Sequence, residues 1–167
     1  QQWAHVMGTW PSAFTNKACR ATRPVDQVRR YDIRGNDGWF NTPVSTVHEI
    51  SFCGFLRTRT GLATLDLPTE AQWEYACRAG SSGATYDAQA DLDELAWTSG
   101  NSAVVEGDEA VCQTHPVGLK KPNAFGLYDM LGNVQEWVLD FMPKRESSVF
   151  YNGNEPLLDP AGVSVRS

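Results

Sequence analysis

Residues 125–137 read FGLYDMLGNVQEW, a stretch that alternates space-filling anchors with positions that need backbone freedom. Phe125, Leu127, Met130, Leu131 and Trp137 fill space, Gly126 and Gly132 permit turns, and Asn133 tolerates left-handed geometry. Asp129 and Glu136 stand seven apart across that turn and could converge on one point. Hard cations such as calcium take about six to eight oxygens, some of them backbone carbonyls. The stretch therefore has two readings, a cation clamp or a purely hydrogen-bonded turn in which Asp129 caps and Glu136 meets an arginine.

Outward from this stretch, the chain of 167 residues is of a length that builds one core, so a single domain over 1–167 is expected. Six Trp, seven Phe and five Tyr within 41% hydrophobic residues can furnish that core and set disorder aside. No run reaches the ~18 apolar residues of a membrane span, and the opening QQWAHVMGTW lacks the basic-then-apolar order of a signal peptide. The net charge of -6 sits in the second half: residues 1–84 carry nine basic and seven acidic groups, residues 85–167 five and thirteen. Asp87, Asp91, Asp93, Glu94, Glu106, Asp108 and Glu109 follow one another without a Lys or Arg, which excludes a nucleic-acid surface and fits a solvated face or a cation site.

Cys19, Cys53, Cys77 and Cys112 are too far apart for a CxxC metal or redox motif. Their even number fits two disulfides or four reduced thiols. His5, His48 and His115 are equally scattered, and no Ser/His/Asp set, Walker loop or GxGxxG occurs.

Two helices are the clearest regular elements. In STVHEISFCGFLRTRTG, Thr46 and Glu49 form a capping box, Val47, Ile50, Cys53 and Leu56 share a face, Arg57 and Arg59 suit the C-terminal dipole, and Gly61 stops the helix. In LPTEAQWEYACRAG, Thr69 caps, Gln72 completes a second box, Trp73, Ala76 and Cys77 face inward, and Gly80 ends the helix. Beyond residue 81, Gly, Asn, Asp, Ser and Pro dominate, with short strand-like pieces at THPVGL and VQEWVLD. RRYDIRGNDGWF, residues 29–40, reads as a loop whose Arg29, Arg30, Arg34, Tyr31, Trp39 and Phe40 either grip a ligand or pack on their own domain.

RPVDQV, FCGFLRTRTG, LDLPTEAQWEYACRAG, THPVGLKKPNAFGLYDMLGNVQEWVLD and DPAG, in that order, resemble the formylglycine-generating enzyme family, also called the sulfatase-modifying factor family. The resemblance runs from about residue 3 to 162. It implies an α+β fold of the C-type-lectin-like type, with two helices, a small twisted antiparallel sheet and much irregular coil, here lacking the family's N-terminal strands and C-terminal part. Gln135 departs from the family, where Trp is common.

For function the resemblance implies either of two classes. One is the copper-dependent oxidation of a sulfatase Cys to formylglycine. The other is a non-catalytic lectin-like module that binds a ligand or joins an assembly, including the retroelement-diversified kind. In the oxidases the two copper-binding cysteines lie beyond the DPxG segment, after an RGGSW-like stretch, and this sequence reaches Ser167 soon after DPAG. No catalytic residue is therefore assigned, copper is expected only where a further C-terminal part supplies those cysteines, and Cys53 and Cys77 match structural positions. The resemblance also implies calcium at Asp129, Gly132, Val134 and Glu136, and a second calcium at Asn101, Ser102, Glu109 and Val111, where Glu replaces the usual Asp. Expected partners are a protein or peptide substrate or a surface ligand, with association to another chain open and no nucleic acid. Acidity and calcium together lean towards an extracytoplasmic setting.

Overall fold

The computed structural model describes residues 1–13, 20–35, 46–83, 90–106 and 109–140. Among these, five helices and one ribbon follow in the order α1 (Gln2–Met7), α2 (Arg30–Arg34), α3 (Phe52–Thr60), α4 (Glu70–Arg78), α5 (Leu92–Leu95), β1 (Ala103–Glu106) and β2 (Glu109–Cys112). The two longest are the two helices expected, and α1, α2 and α5 are additional single turns or little more. The described residues fall into two units, one drawn from 1–29 and 75–136, the other from 30–74 and 137–140.

In the second unit α3 starts later than its sequence suggests. Thr46 and Glu49 do not cap it; Ser51 does, its hydroxyl accepting from the Gly54 N–H at 3.1 Å and donating to the His48 carbonyl at 2.7 Å. The physical reason lies just upstream. His48 N–H is committed to the Arg34 carbonyl at 2.8 Å, and the Ser51 N–H closes a turn onto the His48 carbonyl at 3.0 Å. That turn lies so close over Gly54 that a Cβ there would sit 2.1 Å from the His48 carbonyl oxygen. Ile50, expected on the inner face, is accordingly 61% exposed.

α2 presents Arg34, fully buried, to Asp66 through two bonds, Nε to Oδ1 at 2.6 Å and Nη2 to Oδ2 at 2.7 Å, and Arg57 adds Nε to the Leu65 carbonyl at 2.7 Å. The segment read as a loop over 29–40 thus folds its first part as a helix that packs on its own unit, with Tyr31 exposed; Trp39 and Phe40 lie outside the described residues. Beside this pair Cys53 is buried, and burial first, then the Asp66 charge, pushes its thiol above the ordinary 9.0. A neutral, buried thiol packs as a small hydrophobe and is a poor nucleophile at neutral pH.

α4 begins as its sequence predicts. Thr69 Oγ1 accepts from the Gln72 N–H at 3.2 Å while Gln72 Oε1 accepts from the Thr69 N–H at 2.9 Å, the reciprocal capping box. The last turn buries Cys77, and Ala79 and Gly80 both take left-handed φ, 46° and 89°, to end it.

In the first unit, α1 buries Trp3 and bonds its indole N–H to Thr9 Oγ1 at 3.1 Å, and α5 places Leu95 and Ala96 at 0% and 1% exposure. β1 and β2 pair antiparallel with Ala103 opposite Cys112 and Glu106 opposite Glu109. THPVGL and VQEWVLD, read as strand-like, form no strands among their described residues. Among the described residues the buried polar ones, Arg34, Ser51, Thr69, Ser102, Thr114 and Asn123, are as numerous as the buried apolar ones. Hydrogen bonds to specific partners therefore hold the coil in place where regular ladders are missing.

Candidate functional site

The coil from 113 to 136 is positioned by two asparagines. Asn123, 5% exposed, donates through Nδ2 to the carbonyls of Ala76 at 2.7 Å and Cys77 at 3.0 Å, meeting two of the acceptors that the end of α4 leaves open. Its Oδ1 accepts from the N–H groups of Phe125 and Leu127 at 3.0 and 3.1 Å, so one side chain ties the turn to the helix. Cys77 Sγ adds a contact to the Met130 carbonyl at 3.5 Å.

Asn133 does the same for the second half of the coil. It adopts φ 61°, accepts from the His115 N–H at 2.9 Å and donates to the His115 carbonyl at 3.1 Å. Beside it Gly132, φ 77°, forms a parallel bridge with Trp97, and a Cβ on Gly132 would meet the Trp97 carbonyl oxygen at 2.2 Å. Only glycine satisfies both demands. The Trp97 ring stacks on His115, centroids 3.8 Å apart and 12° from parallel, and carries the Lys120 ammonium 3.8 Å from its centroid.

These elements border an open groove of about 550 Å³, with Trp97 and Thr98 on one stretch, Cys112 and Thr114 on another, and Val134 and Gln135 on a third. Cys112 is exposed with a free thiol, and the Trp97 indole N–H is buried with no acceptor among the described residues. Tyr75 and Phe125 pair at 5.7 Å elsewhere in the unit, and Leu127 and Tyr128 are likewise exposed.

The residues of the first calcium set lie along one turn. Asp129, φ 56°, accepts from the Gly118 N–H at Oδ2, 2.8 Å, and faces Asn133 Nδ2 from Oδ1 at 3.4 Å. The Gly132 carbonyl accepts from the Val134 N–H at 2.8 Å, and Glu136 is exposed. Asp129 thus caps as the hydrogen-bonded-turn reading requires, and its oxygens remain hard donors. In the second set Asn101 Oδ1 already accepts from the Thr98 N–H at 2.7 Å, while Nδ2 donates to Asp93 and the Ala96 carbonyl. The Ser102 carbonyl takes the Gln113 N–H at 3.3 Å and lies 3.1 Å from His115 Nε2. The Glu109 side chain lies outside the described atoms, and Val111 sits in β2. Among the described residues no three His, Cys, Asp or Glu side chains gather as a metal group.

Asn123 and the ribbon escaped the sequence reading. The ribbon had a signal: VVE and EAV flank the two residues Gly107 and Asp108, a hairpin spacing. For Asn123 only the local half was open to sequence, its bonds to Phe125 and Leu127 two and four residues on; the acceptors of its Nδ2 are 46 and 47 residues away.

A family model described as "Sulfatase-modifying factor enzyme 1-like domain" matches residues 1–162. Chaperone protein LppX of Paenibacillus barcinonensis is 32% identical over 176 residues, 88% of this chain and 61% of that protein. The formylglycine-generating enzyme of Streptomyces coelicolor is 36% identical over 105 residues, 58% of this chain and 31% of that protein. Among solved structures, Treponema denticola variable protein 1 superposes with a TM-score of 0.67 at 25% identity, over 96% of this chain and 64% of that one. The chain spans between about a third and two thirds of the length of these relatives.

Proposed function

The chain belongs to the family of sulfatase-modifying factor enzyme 1-like domains and has that family's C-type-lectin-like α+β fold, and from this premise we propose that it recognises a polypeptide within a protein of the formylglycine-generating type. The activity proposed for that whole protein is oxidation of a Cys side chain in a sulfatase to formylglycine. The observation that carries this reading is the 36% identity with the Streptomyces coelicolor formylglycine-generating enzyme. The open groove beside Trp97, Cys112 and Val134 supports it, since its ~550 Å³ is of the size in which proteins seat small ligands or a short peptide segment.

Copper would supply the oxidation with its reactive centre, and the described residues do not fit it. Cys53 belongs to one unit and Cys77 and Cys112 to the other, two of the three are buried, and no ligand group forms among the described residues. No step is assigned through copper. Calcium does suit the first set chemically: Asp129 and Glu136 supply carboxylates, Gly132 and Val134 carbonyls, all hard oxygens on one turn. Its role there would be to brace the turn. The second set, Asn101, Ser102, Glu109 and Val111, offers a single carboxylate, and in both sets some oxygens already accept within the chain, those of Asp129 and Gly132 in the first and of Asn101 and Ser102 in the second.

The test is oxygen uptake and aldehyde trapping with the full-length protein and a Cys-containing sulfatase peptide. Aldehyde in the peptide is expected. Peptide binding without aldehyde would move the assignment to the second reading, a non-catalytic ligand-binding module, with which the 0.67 TM-score with variable protein 1 over 96% of the chain is compatible. Neither binding nor aldehyde would overturn the polypeptide reading.

A further inference from the structure

The phase of the β1–β2 ribbon leaves both outer edges open, β1 at Ala103 and Val105 and β2 at Ala110 and Cys112, and of the two it is the β2 edge that borders the groove. In an antiparallel ladder, opposed residues alternate between pairs that exchange both backbone bonds and pairs that exchange none. Ser102 and Gln113 continue the register of Ala103 with Cys112, and the Gln113 N–H bonds the Ser102 carbonyl at 3.3 Å. That bond sets the phase. Val104 and Val111 exchange bonds across the ribbon, whereas Ala110 and Cys112 turn their N–H and C=O groups away from β1. Among the described residues neither makes a further backbone bond. Spaced two apart, they offer the donor–acceptor pattern that a third strand requires.

Three further observations bear on what occupies that edge. Cys112 lies on it and also lines the groove, as do Thr114 just beyond β2 and Gln135 across from it. The groove's Trp97 holds a buried indole N–H that lacks an acceptor among the described residues. Val104 and Val111, opposite each other on one face of the ribbon, are 37% and 38% exposed and give an added strand a partner for one apolar side chain.

We propose that the outer edge of β2, at Ala110 and Cys112, accepts an extended polypeptide segment as a third strand, with its main chain bonded to those two residues and an apolar side chain against Val104 and Val111. The proposal rests on the polypeptide-binding reading above and deepens it by naming the mode of capture. Main-chain bonds supply the affinity in this mode, so it reads an extended backbone first and side chains second.

The experiment uses the full-length protein and a synthetic sulfatase peptide whose target Cys is replaced by Ser. Binding is followed by fluorescence anisotropy, and alkylation of the Cys112 thiol by iodoacetamide reports the edge. Bound peptide is expected to slow Cys112 alkylation at least about fivefold. N-methylation of the peptide backbone at alternate residues should abolish binding in one register and spare it in the other. Ala110→Pro, which removes an N–H pointing away from β1, should weaken binding about tenfold or more; if that variant fails to fold, the N-methylated peptides decide. A peptide that binds with Cys112 unprotected and no N-methyl effect overturns strand addition and leaves polypeptide recognition standing. No binding at all overturns both.

Discussion

Asn133 performs in one residue what a strand would need several to do. Its amide meets both backbone groups of His115, at 2.9 and 3.1 Å, from a left-handed backbone that Asn tolerates and Ala resists. Asn133→Ala is expected to cost about 2–4 kcal/mol, combining the two lost bonds with backbone strain. Asn133→Gly should cost less, because only the bonds are lost, and urea denaturation of the two variants separates the terms. Left-handed geometry at Asn133 and the turns at Gly126 and Gly132 were legible in FGLYDMLGNVQEW, since φ preference belongs to the residue itself. What the residues bind was not legible. Gly132 is required as much by its approach to Trp97 as by its φ, and Trp97 stands 35 positions earlier. For Asp129 the sequence left cap and cation clamp open, and its bonds to Gly118 and Asn133 supply the cap.

Helix starts show the same division between local and distant causes. The box at Thr69 and Gln72 closes within one turn, so four residues suffice to predict it. Thr46 and Glu49 have the same spacing and form no cap, because His48 between them is held by Arg34 from another helix and the turn ending at Ser51 takes over the start of α3. Thr69→Ala and Ser51→Ala are each expected to cost about 1 kcal/mol, and Thr46→Ala within about 0.5, in chemical denaturation. Equal losses at Thr46 and Ser51 would contradict the assignment of the α3 cap. The ribbon was missed for another reason: its strands are four residues each, too short for alternation to outweigh the polar run around them.

At the scale of the molecule, the order of five motifs identified the fold family, and the match over 1–162 bears that out. Chemistry was less legible than architecture, because family segments such as FGLYDMLGNVQEW are largely engaged in holding coil in place. Calcium is tested at this scale, since a ligand that binds only the folded chain raises the melting temperature. At one hundred times its dissociation constant calcium should add about 2.7 kcal/mol over excess chelator. Asp129→Asn with Glu136→Gln should remove that increment, and an unchanged melting temperature in the parent would refute calcium. No described helix is long and apolar enough to cross a membrane. The bonds from Asn123 to Ala76 and Cys77 bear on time as well as stability. During synthesis α4 is complete while its final carbonyls still lack this partner, which arrives 46 residues later. Closing so long an interval is an entropic search, so the coil settles late and as a block, after the helix it hangs from.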